Sequence, residues 1–163
     1  MSGLSRELAE ALAEDAEALA ALHDRELTAE TIAALREVGF PASLGLLPAD
    51  ERGRQTWRMM AEALPLEIDA GLLDRLAADY AAIYLTGAYG ASPCESVWLD
   101  DDHLACQAPM FDLREIYAAA GLAAENWRRR PDDHLVLQLL YVAHALRQAN
   151  DAAALRGLAS MLD

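Results

Sequence analysis

The stretch Asp69-Ala70-Gly71-Leu72-Leu73-Asp74-Arg75-Leu76-Ala77-Ala78-Asp79-Tyr80-Ala81-Ala82-Ile83-Tyr84 decides the fold class. Leu72, Leu73, Leu76, Tyr80, Ile83 and Tyr84 recur at the three-and-four spacing of a buried helical stripe. Asp69 stands where an N-cap belongs, its carboxylate able to accept an early backbone N–H. Upstream, Pro65 breaks a helix predicted from about Asp50 to Leu64, with Trp57, Met60 and Leu64 on one side. Before it, Pro41–Pro48 reads as a loop. A helix capped by Thr28 stops at Gly39, where Pro41 prevents continuation. The first helix, Ser5 to His23, carries Leu8, Leu12, Leu19 and Leu22 with acids between them.

Downstream, Gly87 to Gly90 opens a long irregular connection through Asp102, a length uncommon in compact domains unless functional. A further helix spans about Met110 to Ala120 and ends at Gly121. Pro131 and Asp132 start the next, which reaches about Gln148, and Asn150 or Asp151 caps a short last one. No segment alternates with period two between hairpin turns. The expectation is an all-α fold: one domain over residues 1–163, a compact bundle of about seven helices.

Composition agrees. Ala, Leu, Glu and Arg dominate and β-branched residues are few. With 54% hydrophobic residues in 163, the chain has enough apolar side chains for a core. No run of about 18 apolar residues occurs, so no membrane insertion is expected. The N-terminus lacks the basic-then-apolar plan of a secretory signal, and a cytoplasmic location is expected. Cys94 and Cys106 are too few for a disulfide scaffold and read as free thiols.

Charge narrows the partners. Twenty-seven acids face thirteen bases, every one an Arg, for a net charge of −14. Such a field repels nucleic acid and speeds encounter with a basic partner, although solubility alone could also account for it. Residues 1–30 hold eight acids and two Arg, as an amphipathic surface helix would.

Two segments stand apart. In Ser92-Pro93-Cys94-Glu95-Ser96-Val97-Trp98-Leu99, Pro93 fixes the backbone, Glu95 and Ser96 offer acceptors, and Trp98 offers a large apolar face with one N–H. These groups could equally cap the loop internally and plug the core. In Pro131-Asp132-Asp133-His134-Leu135, the acid pair opens a helix, where negative charge is favoured by about 0.3–1 kcal/mol without any function. Carboxylates beside His134 would favour its protonated form.

The order is an aromatic-bearing helix, then Ser-Pro-x-Glu-Ser-Val. Phe111-Asp112-Leu113-Arg114-Glu115-Ile116-Tyr117 follows with Gly121-Leu122, and then Pro-Asp-Asp-His-Leu. This order resembles the TorD/DmsD family of redox-enzyme maturation chaperones, related more distantly to the NarJ chaperones. The resemblance covers about residues 72–146. It implies an all-helical cytoplasmic chaperone, not an enzyme. Its partners would be the twin-arginine signal peptide and apo-form of a molybdenum-cofactor oxidoreductase subunit. The groove would lie where the Pro93–Trp98 loop meets the Pro131–His134 turn. Glu95, Asp132 and Asp133 would meet guanidinium groups; Tyr80, Tyr84 and Trp98 would cover the apolar stretch; Pro93, Ser96 and His134 complete the set. Relatives usually continue through further C-terminal helices, so a second copy could supply a missing element by domain exchange. A small helical interaction protein without a groove is the other expectation.

Other chemistries are set aside. Cys94, His103 and Cys106, near Asp100-Asp101-Asp102, follow no trusted zinc spacing, and no metal or cofactor is expected. Arg128-Arg129-Arg130 precedes two acids and is read as facing water or pairing with neighbouring acids. No glycine-rich phosphate loop occurs, so nothing marks a site for the guanine nucleotides that some members of the resembled family bind. Ser96, Asp133 and His134 lack the nucleophile elbow of a hydrolase.

Overall fold

A computed structural model describes residues 5–45 and 48–148. Among these, seven α-helices follow one another: α1 (Arg6–Asp24), α2 (Ala29–Glu37), α3 (Glu51–Ala63), α4 (Ala70–Tyr80), α5 (Ser96–Leu99), α6 (Ala108–Ala119) and α7 (Leu135–Arg147). Among the described residues there is no strand, and no helix is long and apolar enough to cross a membrane.

The caps are where side-chain chemistry puts them. Ser5, Thr28, Asp50 and Asp69 each accept the backbone N–H three residues on, opening α1 to α4. Gly39 and Gly121 take positive φ just past α2 and α6, the left-handed turn that a helix C-terminus favours and a Cβ opposes.

The core has two centres, both on α7. Ala13 and Ala16 of α1 meet Ala143 of α7, flanked by Val142 and Leu146. Three alanines let the backbones approach closely, so α1 packs along α7. On the other side, Leu113 and Tyr117 of α6 pack on Tyr141 and Ala145, the two tyrosine rings 5.1 Å apart. Arg147 also binds Glu10 and Glu17 across the α1–α7 seam. Exposed pairs of that kind contribute about 0–1 kcal/mol, so burial holds the seam together.

Three expectations change in detail. The helix through Tyr84 is regular only to Tyr80. Over Ala81–Leu85 the bonding widens, Thr86 N–H reaching back five residues to the Ala81 carbonyl (3.0 Å), a π turn. The connection through Asp102 contains the short helix α5. Finally, α7 begins at Leu135, so Asp132 and Asp133 precede it instead of occupying its first turn. His134 is the cap, its Nδ1 accepting the Val136 N–H at 3.1 Å. The helix expected after Asn150 lies outside the described residues.

Candidate functional site

The two segments singled out above meet. Cys94 and His134 pair as an isolated antiparallel bridge. Leu135 N–H donates to the Pro93 carbonyl (2.7 Å), and Glu95 N–H to the Asp133 carbonyl (3.1 Å). One carboxylate completes the junction. Asp133 Oδ2 accepts both the N–H (2.8 Å) and the hydroxyl (2.5 Å) of Ser96, and Ser96 Oγ accepts the Gln107 N–H (3.1 Å). Asp133 thus caps α5 from across the fold, both residues fully buried. Its Oδ1 has no hydrogen-bond partner.

Asp132 is also turned inward. Its Oδ2 accepts from Arg114 Nη2 (2.7 Å) and Nε (3.2 Å), and the guanidinium lies over the rings of Phe111 and Trp127, 5.3 and 5.0 Å from their centroids. The Asp132 carbonyl accepts the Tyr117 hydroxyl (3.0 Å). Arg114 stands in the motif that carries the resemblance, but its spacing assigns it no role. A buried aspartate needing a cation was the signal available.

Glu95 is half-buried and accepts from Gln138 Nε2 (2.9 Å), which also donates to the Asp133 carbonyl (3.1 Å). Burial first, then the nearby Asp133 carboxylate, pushes the Glu95 carboxyl above its ordinary value. Trp98 is 60% exposed, its indole N–H held by the Ser92 carbonyl (2.9 Å). It therefore does not plug the core. His134 departs from expectation: burial, then Arg130, outweighs the neighbouring carboxylates and holds its imidazole at about 4, so it is neutral near pH 7. A neutral ring is what its cap requires, since Nδ1 must carry a lone pair.

Beside the junction opens a cleft of about 1330 Å³. Tyr80, Tyr84, Pro93 and His134 line it, with Ile83 and Leu137. The tyrosine rings stack with centroids 4.7 Å apart, and the Tyr84 hydroxyl meets His23 Nδ1. Glu95, Ser96, Trp98, Asp132 and Asp133 do not line the cleft; they build or border its wall. The charged lining is balanced instead of negative: Asp24, Glu26 and Glu125 against Arg25, Arg129 and Arg130.

Asp24 and the arginines around it carry no mark in the sequence. The end of α1 reads as a solvated acidic face, whereas Arg130 reaches Asp24 across 106 positions. Local spacing contains no trace of such a pair.

Hydrolysis has no geometry here, because the Ser96 hydroxyl goes to Asp133 while His134 Nδ1 serves Val136. Among the described residues no three His, Cys, Asp or Glu side chains converge as a metal site would need.

Comparisons with known proteins agree with this arrangement. A family model for the nitrate reductase delta subunit matches residues 48–162. A chaperone protein TorD of Photobacterium profundum is 27% identical over 136 residues, covering 81% of this chain and 62% of its own. One of Vibrio cholerae serotype O1 is 31% identical over 136 residues, with coverage of 81% and 60%. One of Shewanella pealeana is 32% identical over 102 residues, with coverage of 58% and 46%. The chain thus spans about half to three fifths of the length of these relatives. No solved structure matches it significantly. With its family model covering most of the chain, the protein belongs to the nitrate reductase delta subunit family, the NarJ/TorD-type chaperones.

Proposed function

We propose that this chain is a cytoplasmic, non-catalytic maturation chaperone. Its clients would be the twin-arginine signal peptide and the apo-form of a molybdenum-cofactor oxidoreductase subunit. The observation that carries the reading is the cleft beside the 93–98 and 131–134 junction, where stacked tyrosines and a proline adjoin carboxylates and a buried imidazole. A signal peptide joins guanidinium groups to an apolar stretch, and a receptor needs greasy surface next to acceptors. Tyr80, Tyr84, Pro93 and His134 would face the peptide. Ser96, Asp132 and Asp133 would hold the wall, while Glu95 and Trp98 would border it, Trp98 through the Ser92 carbonyl at the rim. The net charge of −14 would steer a cationic segment inward, more strongly at low salt.

The test is calorimetric titration of the full chain with a twin-arginine signal peptide and with a scrambled peptide of equal charge. Saturable binding of the first alone is expected. Equal heats from both, or none from either, would refute the groove and favour a helical interaction protein that lacks one.

A second copy belongs to the proposal. α3 carries Trp57, Met60 and Leu64 along one side, all only half-buried, and Met59 is 62% exposed. Neither α3 nor α4 contributes a fully buried residue. Exchange of this arm between two protomers would cover that apolar side.

A further inference from the structure

Asp24 is the last residue of α1, where the helix dipole disfavours a negative charge by about 0.3–1 kcal/mol. Helix stability therefore does not account for this carboxylate. It sits in the cleft wall between two arginines. Its Oδ1 pairs with Arg130 Nη2 at 2.5 Å, while its Oδ2 accepts from Arg25 Nη2 (2.8 Å) and Nε (3.2 Å). The backbone carbonyl of the same residue takes the Tyr80 hydroxyl (2.9 Å) and Arg130 again (3.3 Å). The wall thus already binds guanidinium groups, next to the aromatic stack.

The two arginines are held unequally. Arg130 comes from the far segment, grips two separate oxygens and is 35% exposed. Arg25 is the adjacent residue, reaches one oxygen and is 79% exposed. An exposed pair of that kind is worth about 0–1 kcal/mol, so a better-placed guanidinium can take its position. Both groups face the cleft, and Glu26 lines the same wall one residue further on.

We propose that Asp24 is the guanidinium receptor of this cleft. Arg25 is a built-in occupant that an arginine of the bound peptide displaces. This rests on the twin-arginine reading and gives it an address. Arg130 stays, holding the carboxylate in place. The entering side chain lies over Tyr80 and Tyr84 and donates its N–H groups to Oδ2, the oxygen that Arg25 releases. Lys, a point charge without the planar fork, fits that oxygen and the tyrosine faces less well.

The test measures affinity for a twin-arginine peptide and for its twin-lysine counterpart in the full chain. Arg25→Gln removes the occupant, and tighter binding by about two- to fivefold is expected. Arg52→Gln on α3, outside the cleft, makes the same change in net charge and should move affinity less. Asp24→Asn should weaken the arginine peptide about tenfold and abolish the preference for arginine over lysine, a ratio that a purely structural role would leave alone. If Asp24→Asn fails to fold by circular dichroism, Arg25→Gln against its charge control decides. The assignment is overturned, with the chaperone reading intact, if the wild-type chain binds the peptide and either of two results appears. One is an Asp24→Asn protein that keeps the arginine preference; the other is an Arg25→Gln protein no tighter than Arg52→Gln. If the wild-type chain binds neither peptide, both fall.

Discussion

Asp133 holds Ser96 through one carboxylate oxygen, taking its N–H at 2.8 Å and its hydroxyl at 2.5 Å across 37 positions of chain. Without this bond the 93–98 loop and the 131–134 turn are separate pieces of surface. Asp133→Ala leaves the Ser96 N–H and hydroxyl buried without their acceptor. A loss of about 2–4 kcal/mol in urea unfolding is expected, against about 1–3 for Ser96→Ala. The double variant should cost less than the sum, because both changes remove the same bond.

Among the described residues Arg114 is the only guanidinium on buried Asp132, and it lies over Phe111 and Trp127. Arg114→Met should lower the thermal midpoint well below that of Arg128→Met, a nearby control whose guanidinium lies over the Trp127 ring. Arg114→Lys should recover little, since it loses the fork and the stacking together. Differential scanning calorimetry measures all three.

The depressed value of His134 sets a pH dependence with a definite sign. Folded, the imidazole titrates at about 4; unfolded, near the ordinary 6.5. Its contribution is complete above 6.5. As pH falls from 6.5 towards 4 the unfolded chain takes up a proton that the folded chain refuses, and stability drops through that window. His134→Asn can still cap α7 and does not titrate. Melting curves between pH 7 and 4.5 should therefore show a shallower decline for the variant than for the wild type.

Within the cleft the tyrosines should matter more than the rim. Tyr84→Ala is expected to weaken a twin-arginine peptide about tenfold or more, as loss of a central aromatic anchor does. Trp98→Ala and Glu95→Gln should weaken it less, because neither side chain lines the opening and Glu95 is engaged by Gln138. Titrations ranking Glu95→Gln above Tyr84→Ala would move the peptide out of the cleft and onto the loop.

If a second copy covers α3, sedimentation should give twice the 17.7 kDa chain mass. Trp57→Glu should then shift the population to monomer while leaving circular dichroism unchanged. A wild-type chain that sediments as a monomer at high micromolar concentration ends the exchange proposal.

Much of the fold could be read from the chain because its signals are local. Ser5, Thr28, Asp50 and Asp69 cap where their side chains predict, and Gly39 and Gly121 mark two helix ends. The meeting of the 95 and 133 regions was reached through resemblance, and the Cys94–His134 bridge places them together. The direction in which their acids point was not legible. Spacing reports which residues adjoin along a helix, but Asp132 and Asp133 are drawn inward by Arg114 and Ser96, partners 18 and 37 positions away. The same limit hid Asp24. Its pairing with Arg130 exists only because the end of α1 lies against the segment before α7. The charge state of His134 was hidden for a related reason, since desolvation depends on what covers a ring and adjacent letters do not record that.

The widened turn at Ala81–Leu85 makes the aromatic wall depend on residue number as well as residue type. Deleting Ala82 would let an ordinary helix run on through the segment. Everything after the deletion would then swing by about 100° around the axis, the angle of one residue. Tyr84 would leave its neighbour and point elsewhere, although every aromatic side chain would still be present. A homologue one alanine shorter here would therefore keep its helix content and lose the stacked pair. Alignments of this family should treat a single gap at these alanines as a change to the binding surface.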